Sequence, residues 1–272
     1  MSQTVREKIV SRMREFGIEP KRSLGQNFLV SDSVVGKIIK GAQLDKYSQI
    51  VEIGPGIGAL TDDLIDAKKD LTLFELDTKF SEYWRNRGQK LIEGDALKHD
   101  WKSYSWNKGP TVLVSNLPYQ ISSRLVVELS MMNPSFDRMV LMFQKEVAQR
   151  LLAEPSTPDY GFLTVVAQSF WNIYHLLEAG AVDFLPKPNV ASRVAVFTRK
   201  DAVDPRICDN SYLSFVKCSF ENRRKKLLPK LKNYQSKEEL LLTFFNLGLE
   251  EGVRAEILSP TQFIELYLSI KK

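Results

Sequence analysis

Cysteine and histidine are the scarcest reactive residues in this chain, with two of each among 272. Cys208 and Cys218 cannot build a disulfide framework and read as free thiols of a reducing compartment. His99 beside "DALK" and His175 inside an apolar strand pattern read as structural histidines. No His/Cys cluster has metal-ligand spacing and no Walker lysine follows a glycine loop, so no metal is expected. No apolar run reaches the roughly 18 residues of a membrane helix. The opening stretch "MSQTVREKIVSRMREFG" mixes acids and bases and has no apolar centre, so it is not a secretory signal. Repeats and low-complexity tracts are also missing. What remains is an ordinary globular composition, 43% hydrophobic and 26% charged, expected in the cytoplasm as a monomer without membrane attachment.

Charge is present but uneven. The net charge is +5. Residues 1–30 hold six bases against three acids, and residues 199–232 hold ten against four. Any one such run is usually a solvated helix face. Two basic zones flanking one domain make a nucleic-acid footprint more plausible.

From about residue 49, short β-rich runs alternate with helical patterns. Gln49–Ile53, Leu71–Leu76, Lys90–Asp95, Thr111–Asn116 and Arg138–Phe143 read as strands, and "NIYHLLEA" and "SRVAVFT" as a final pair. Helical patterns lie between them, for example over Leu60–Ala67 and Ser122–Met131. The alternation predicts a parallel α/β sheet with helices on both faces. After about Lys200 the strands stop and three amphipathic helical stretches follow. Ser236 with Glu239 and Ser259 with Gln262 have capping-box spacing. A domain boundary is expected near residues 199–204, giving a domain over 1–200 and a small helical one over 201–272. Phe220–Leu231 is predicted as a helix with Arg223, Arg224, Lys225, Lys226 and Lys230 solvated.

"VEIGPGIGALT" (Val51–Thr61) is a strand, a glycine turn and a helix. Gly54, Gly56 and Gly58 let backbone approach a ligand closely. Gly54-x-Gly56-x-x-Ala59, with Glu75 about 20 residues on, also fits a dinucleotide site. Glu75 can accept both hydroxyls of a ribose, and Asp95 can accept from the exocyclic amine of an adenine. NAD and S-adenosylmethionine remain open to this point. "NLPY" (Asn116–Tyr119) favours the latter. A planar exocyclic amine is a poor nucleophile because its lone pair is delocalised. The Asn116 side-chain oxygen and the Leu117 carbonyl can accept its two N–H bonds and localise that pair. Pro118 stiffens the turn, and Tyr119 offers a ring on which a flipped base can stack.

In these motifs the chain resembles the rRNA adenine N6,N6-dimethyltransferase family, in its bacterial small-subunit branch, the kasugamycin-sensitivity methyltransferases. "SLGQNFL" (Ser23–Leu29), "EIGPGIGALT", "ELD" (Glu75–Asp77), "GDAL", "NLPYQISS", "FLPKPNVASRV" (Phe184–Val194), "FENRRKKLL" and "RAEILSPTQFIEL" occur in that family's order. The resemblance implies a Rossmann-like class I methyltransferase with a seven-stranded, mostly parallel sheet and a small all-helical C-terminal domain. It implies an S-adenosylmethionine site at Asn27, Leu29, Gly54, Gly56, Glu75, Asp95 and Asn116. The target adenine would lie against Asn116, Leu117, Pro118 and Tyr119, with Phe184 as the second face of an aromatic clamp. Arg223, Arg224, Lys225 and Lys226 would contact RNA. The implied partner is the small ribosomal subunit, dimethylated at two adjacent adenines near the 3′ end of its rRNA during late assembly.

Two positions depart from the family pattern. Ala191 stands where aspartate is usual, and is expected to be tolerated. Pro229 falls where a helix is usually uninterrupted, and is expected to end or kink it. The rival readings are a large-subunit dimethyltransferase of the antibiotic-resistance type, a non-catalytic RNA-binding factor on the same fold, and an NAD enzyme. Pro55, "FLPKPNV" and "NRRKKLL" favour the small-subunit branch over the first, and intact Asn27, Glu75, Asp95 and Asn116 favour an enzyme over the second. "NLPY" makes the third improbable.

Overall fold

A computed structural model gives the structure of residues 3–17, 27–104, 109–132 and 136–271. The chain opens with α1 (Val5–Glu15), β1 (Phe28–Leu29) and α2 (Asp32–Ala42), and continues through β2 (Gln49–Ile53), α3 (Thr61–Asp66), β3 (Asp70–Glu75), α4 (Thr78–Asn86) and β4 (Leu91–Glu93). Then come β5 (Thr111–Asn116), α5 (Tyr119–Ser130), β6 (Arg138–Gln144), α6 (Lys145–Leu152), α7 (Phe162–Phe170), β7 (Trp171–Ala179), β8 (Phe184–Leu185) and β9 (Ser192–Arg199). Three helices close the chain: α8 (Asn210–Phe220), α9 (Lys237–Asn246) and α10 (Pro260–Ile270).

Seven strands form one sheet in the order β4-β3-β2-β5-β6-β9-β7. β4, β3, β2, β5 and β6 pair in parallel, and β9 runs antiparallel to β6. The inner strands are mostly apolar because both sheet faces are covered; β2 is buried along its whole length, its Gln49 and Glu52 included. α2 packs over β5, β6 and β9, and α4 over β3 and β4. The chain leaves β2 towards β4 and returns past it to β5, so the strand order reverses between β2 and β5. Ligands of open α/β sheets bind outside the carboxyl ends of the strands at such a reversal. A separate ribbon pairs β1 with β8, Leu29 opposite Phe184.

The chain divides into two compact units. The first holds the described residues of 1–129, 134–148 and 173–199, and the second those of 130–133, 149–172 and 200–272. Residues 149–172 therefore group with the helical part, which a single cut near residue 200 does not capture. The reason lies in α7, whose Leu163, Val165, Val166 and Phe170 are all buried. A helix apolar on several sides needs more than one cover, and α7 packs on α8 and α10.

In the second unit, Ser236 and Ser259 cap α9 and α10, each completing its box with Glu239 or Gln262. The helix expected over 220–231 does not form. α8 stops at Phe220 and Asn222 takes a left-handed backbone, φ +51°. Lys226 then pairs with Arg254 in an isolated bridge, and Leu227 N–H donates to the Val253 carbonyl at 2.8 Å. Leu228–Leu231 is a single 3-10 turn containing Pro229. Burial of Leu227, Leu228 and Leu231 draws this stretch inward as a series of turns rather than as one helix. Pro229 thus breaks nothing, since the helix has already ended.

Candidate active site

The site grows from the ends of the strands beside the order reversal. After Ile53 the chain turns through Gly54 and Gly56 at φ +71° and +52°, a backbone region L-side chains rarely enter. A Cβ on Gly56 would also press on the Phe28 ring at 3.2 Å. The turn is held from three sides. Trp84 Nε1 donates to the Gly56 carbonyl at 2.8 Å, and Arg12 Nη1 donates to the Ile57 carbonyl at 2.8 Å. Gly56 N–H itself donates to Glu75 Oε2 at 3.1 Å. Gly58 does not line the cavity; a Cβ there would meet Trp84 at 2.9 Å, so its glycine serves packing.

Glu75 ends β3 and is buried. Its Oε1 accepts the Leu76 and Asp77 N–H groups at 2.8 and 2.9 Å. Burial raises its pKa while the N–H groups of Asp77, Gly56 and Leu76 pull it down. Those bonds fix the carboxylate at the cavity wall. Asp95 lies past β4, with Oδ1 accepting Leu97 N–H at 2.9 Å.

At the end of β5, Asn116 Nδ2 donates to the backbone carbonyl of Asn27 at 3.3 Å. With the amide nitrogen so engaged, Oδ1 is the acceptor left to offer a ligand. Pro118 lies 3.6 Å from where a Gly54 Cβ would sit, so the two loops are in contact. Leu117 is buried, and Tyr119 is half-buried with its phenol on Ser192 Oγ at 2.7 Å. Burial raises the Tyr119 pKa, so the phenol stays neutral near pH 7.

Asn27, Leu29, Gly54, Gly56, Glu75, Asp95 and Asn116 all line one cavity, together with Leu117, Pro118 and Tyr119. Ser23–Gln26 of the first motif lie outside the described residues, as do Lys21 and Arg22. Phe184 is not brought to the cavity. Its ring is 1% exposed and packs in the same apolar cluster as Leu29, which it stands opposite in the antiparallel β1–β8 pair. Ala191 gives its carbonyl to Lys145 N–H at 2.9 Å, a backbone contact that any residue supplies.

One charged lining residue escaped the sequence reading. Glu52 sits in β2, 2% exposed, and its Oε2 has no hydrogen-bond partner. Burial pushes its pKa up to about 8, against the pull of the Thr61 hydroxyl and with Glu75 and Asp62 adding to the rise. The signal was available: an acid inside "QIVEI", a strand buried on both faces.

The lining tests the cofactor directly. It carries three acids, Glu52, Glu75 and Asp95, and among its described residues no lysine, arginine or histidine. A pyrophosphate would find no cationic side chain there and would depend on backbone N–H groups alone. S-adenosylmethionine brings an ammonium and a sulfonium, and an orphaned buried carboxylate suits a cation. The residues fit that cofactor.

Comparison with known proteins agrees. The profile of the ribosomal RNA adenine dimethylase family matches residues 18–272. The chain belongs to the ribosomal RNA adenine dimethylase family. Within it, the chain is similar to a ribosomal RNA small subunit methyltransferase A of Bdellovibrio bacteriovorus, 46% identical over 268 residues covering 96% of both chains. A protein of the same description from Mycoplasmoides gallisepticum is 33% identical, covering 93% of this chain and 94% of that one. Among solved structures, a dimethyladenosine transferase from Plasmodium falciparum superposes with a TM-score of 0.75 at 25% identity, over 90% of this chain and 97% of that one. The 23S rRNA methyltransferase ErmE shares the fold, with a TM-score of 0.66 at 22% identity over 90% of this chain and all of that one.

The basic segment of the second unit divides in two. Arg224, Lys225 and Lys226 are exposed. Arg223 is not solvated as expected: its Nε donates to Glu256 Oε2 and its Nη2 to the Thr157 carbonyl, both at 2.6 Å. Arg224, Lys225 and Lys226 line a groove with Lys230 and Arg254. The Lys226–Arg254 bridge brings in Arg254, which local sequence reasoning missed.

Proposed function

We propose that this chain uses S-adenosylmethionine to add two methyl groups to N6 of each of two adjacent adenines near the 3′ end of small-subunit rRNA, during late subunit assembly. The observation that carries the reading is Asn116. Its amide nitrogen is engaged by Asn27, its oxygen remains an acceptor, and it stands where Leu117 and Pro118 meet the glycine turn. When bound, the cofactor supplies an electrophilic methyl on a sulfonium sulfur. Gly54 and Gly56 would admit it to the backbone, Glu75 would hold its ribose, Asp95 its adenine, and Glu52 its cationic end.

In the first transfer Asn116 Oδ1 and the Leu117 carbonyl accept the two N–H bonds of the target amine and aim its lone pair into the cavity; in the second, one of them accepts the single N–H that remains. Pro118 keeps that acceptor pair rigid, and Tyr119 gives the base a face to stack on. The work is positioning and polarity. No strong general base is needed, since the amine grows far more acidic as the methyl arrives. Arg224, Lys225 and Lys226, joined by Arg254, contact rRNA phosphates and so orient the enzyme without reading sequence. The partner is the immature small subunit, met in the cytoplasm by a monomer.

Transfer of labelled methyl groups to undermethylated small and large subunits, with modified positions mapped, tests this. Dimethyladenosine is expected at two adjacent positions in small subunits alone. Label confined to large subunits would point to the resistance-type reaction, and no label to a binding factor.

A further inference from the structure

We propose that Ser192 is a positioning residue for the transfer: its hydroxyl anchors the phenol of Tyr119 and so fixes the ring on which the target base stacks. The inference rests on the function proposed above, because the base gives the ring its task.

Ser192 opens β9 and is completely buried. The residues after it along the strand, Val194 to Phe197, are apolar and also buried. A hydroxyl in such a setting is costly unless it is bonded, and its partner is the Tyr119 phenol at 2.7 Å. The sheet register explains how the two meet. Met142 of β6 stands opposite Asn116 on one side and Val194 on the other. Gln144, two residues further out on β6, stands opposite Ser192. Ser192 therefore lies at the same carboxyl edge as Asn116, two strands away, and the Tyr119 side chain bridges the interval.

Tyr119 is tied at both ends, by its backbone at the start of α5 and by its hydroxyl on β9. A ring held in this way does not lose rotamer freedom when a base settles on it. Phenylalanine would keep the stacking face and lose the tether. This gives the late motif "FLPKPNVASRV" a part in catalysis that Phe184, buried elsewhere, does not provide. The phenol remains protonated because burial raises its pKa, so the tether persists through neutral pH.

The test is a double-mutant cycle on single-turnover methylation of undermethylated small subunits. Tyr119→Phe and Ser192→Ala should each slow the rate about fivefold, the worth of one hydrogen bond. The double variant should be no slower than either, because both remove the same bond. S-adenosylmethionine affinity should stay within about twofold of wild type, since a bond worth this little acts on the ring and not on the cofactor wall. Ser192→Thr, which retains a hydroxyl, should recover most of the rate. Wild-type speed in Ser192→Ala, or a double variant slowed by the product of the single effects, overturns the inference. If Ser192→Ala fails to fold, Tyr119→Phe leaves the buried strand intact, and wild-type speed there overturns it equally. A wild-type chain that methylates no small subunits defeats the proposed function and this inference with it. A wild-type chain that methylates, alongside an unaffected Ser192→Ala, defeats the inference alone.

Discussion

Glu52 carries the sharpest chemistry of any single residue. With a pKa of about 8, its carboxyl is largely protonated at pH 7 before any ligand arrives. A bound cation favours the ionised form. Cofactor binding near neutral pH should therefore release a proton, and affinity should climb as pH rises through 8. For folding the sign is reversed. The folded chain keeps a proton that the unfolded chain loses above its ordinary value of 4.5. The stabilisation is complete below that pH and declines as pH rises to about 8. Glu52→Gln should flatten both trends and weaken S-adenosylmethionine by about tenfold, the loss of one charge-assisted bond. Calorimetry in buffers of different ionisation heat reads the proton directly, and equal heats in every buffer would contradict the assignment. Phe184 makes the opposite case, a residue to which the family resemblance gives a function and whose burial places it in the packed cluster with Leu29. Phe184→Ala should cost about 3–5 kcal/mol of stability, seen as a lower unfolding midpoint. Lost turnover on RNA with that midpoint unchanged would restore it as a stacking face.

At the scale of elements, the glycine turn depends on side chains that carry no motif. Arg12 of α1 counts as part of a basic segment in the sequence. In the structure it is 11% exposed, bonded to the Ile57 carbonyl and paired with both oxygens of Asp62. Its charge is spent inside the protein. The same distinction divides Arg223 from its neighbours. Arg223→Gln should destabilise the chain by about 1–3 kcal/mol, because Glu256 and the part-buried Thr157 carbonyl lose their charged donor. It should leave the salt dependence of RNA binding nearly unchanged. Arg224→Gln and Lys226→Gln should do the reverse, each lowering the slope of log affinity against log salt by about one. Binding measured over a salt series checks both. The capping boxes of α9 and α10 were legible because every group in them lies within four residues. The link over 220–231 was not, because its backbone partner is Val253, remote in the chain.

Over the whole molecule, charge is separated by task. The cavity of the first unit is acidic and the groove of the second is basic, so the modest net charge of +5 conceals both. The strands of the sheet were readable as apolar runs, and the cavity as the ends of β2, β3 and β5 with the loop beyond β4. Side-chain direction was not readable. Whether Phe184 faces a ligand or a core depends on the pairing of β8 with β1, and the membership of α7 depends on helices far along the chain. The central claim is that the Asn116 edge polarises an amine within the cavity that also holds the cofactor. Asn116→Ala tests it most directly, with dimethyladenosine in treated small subunits and S-adenosylmethionine affinity measured on one preparation. The expected result is methylation reduced by at least about a hundredfold, as when a transition-state acceptor or donor is removed, with cofactor affinity kept within about tenfold, the worth of a single polar contact. Full methylation by Asn116→Ala would contradict the account.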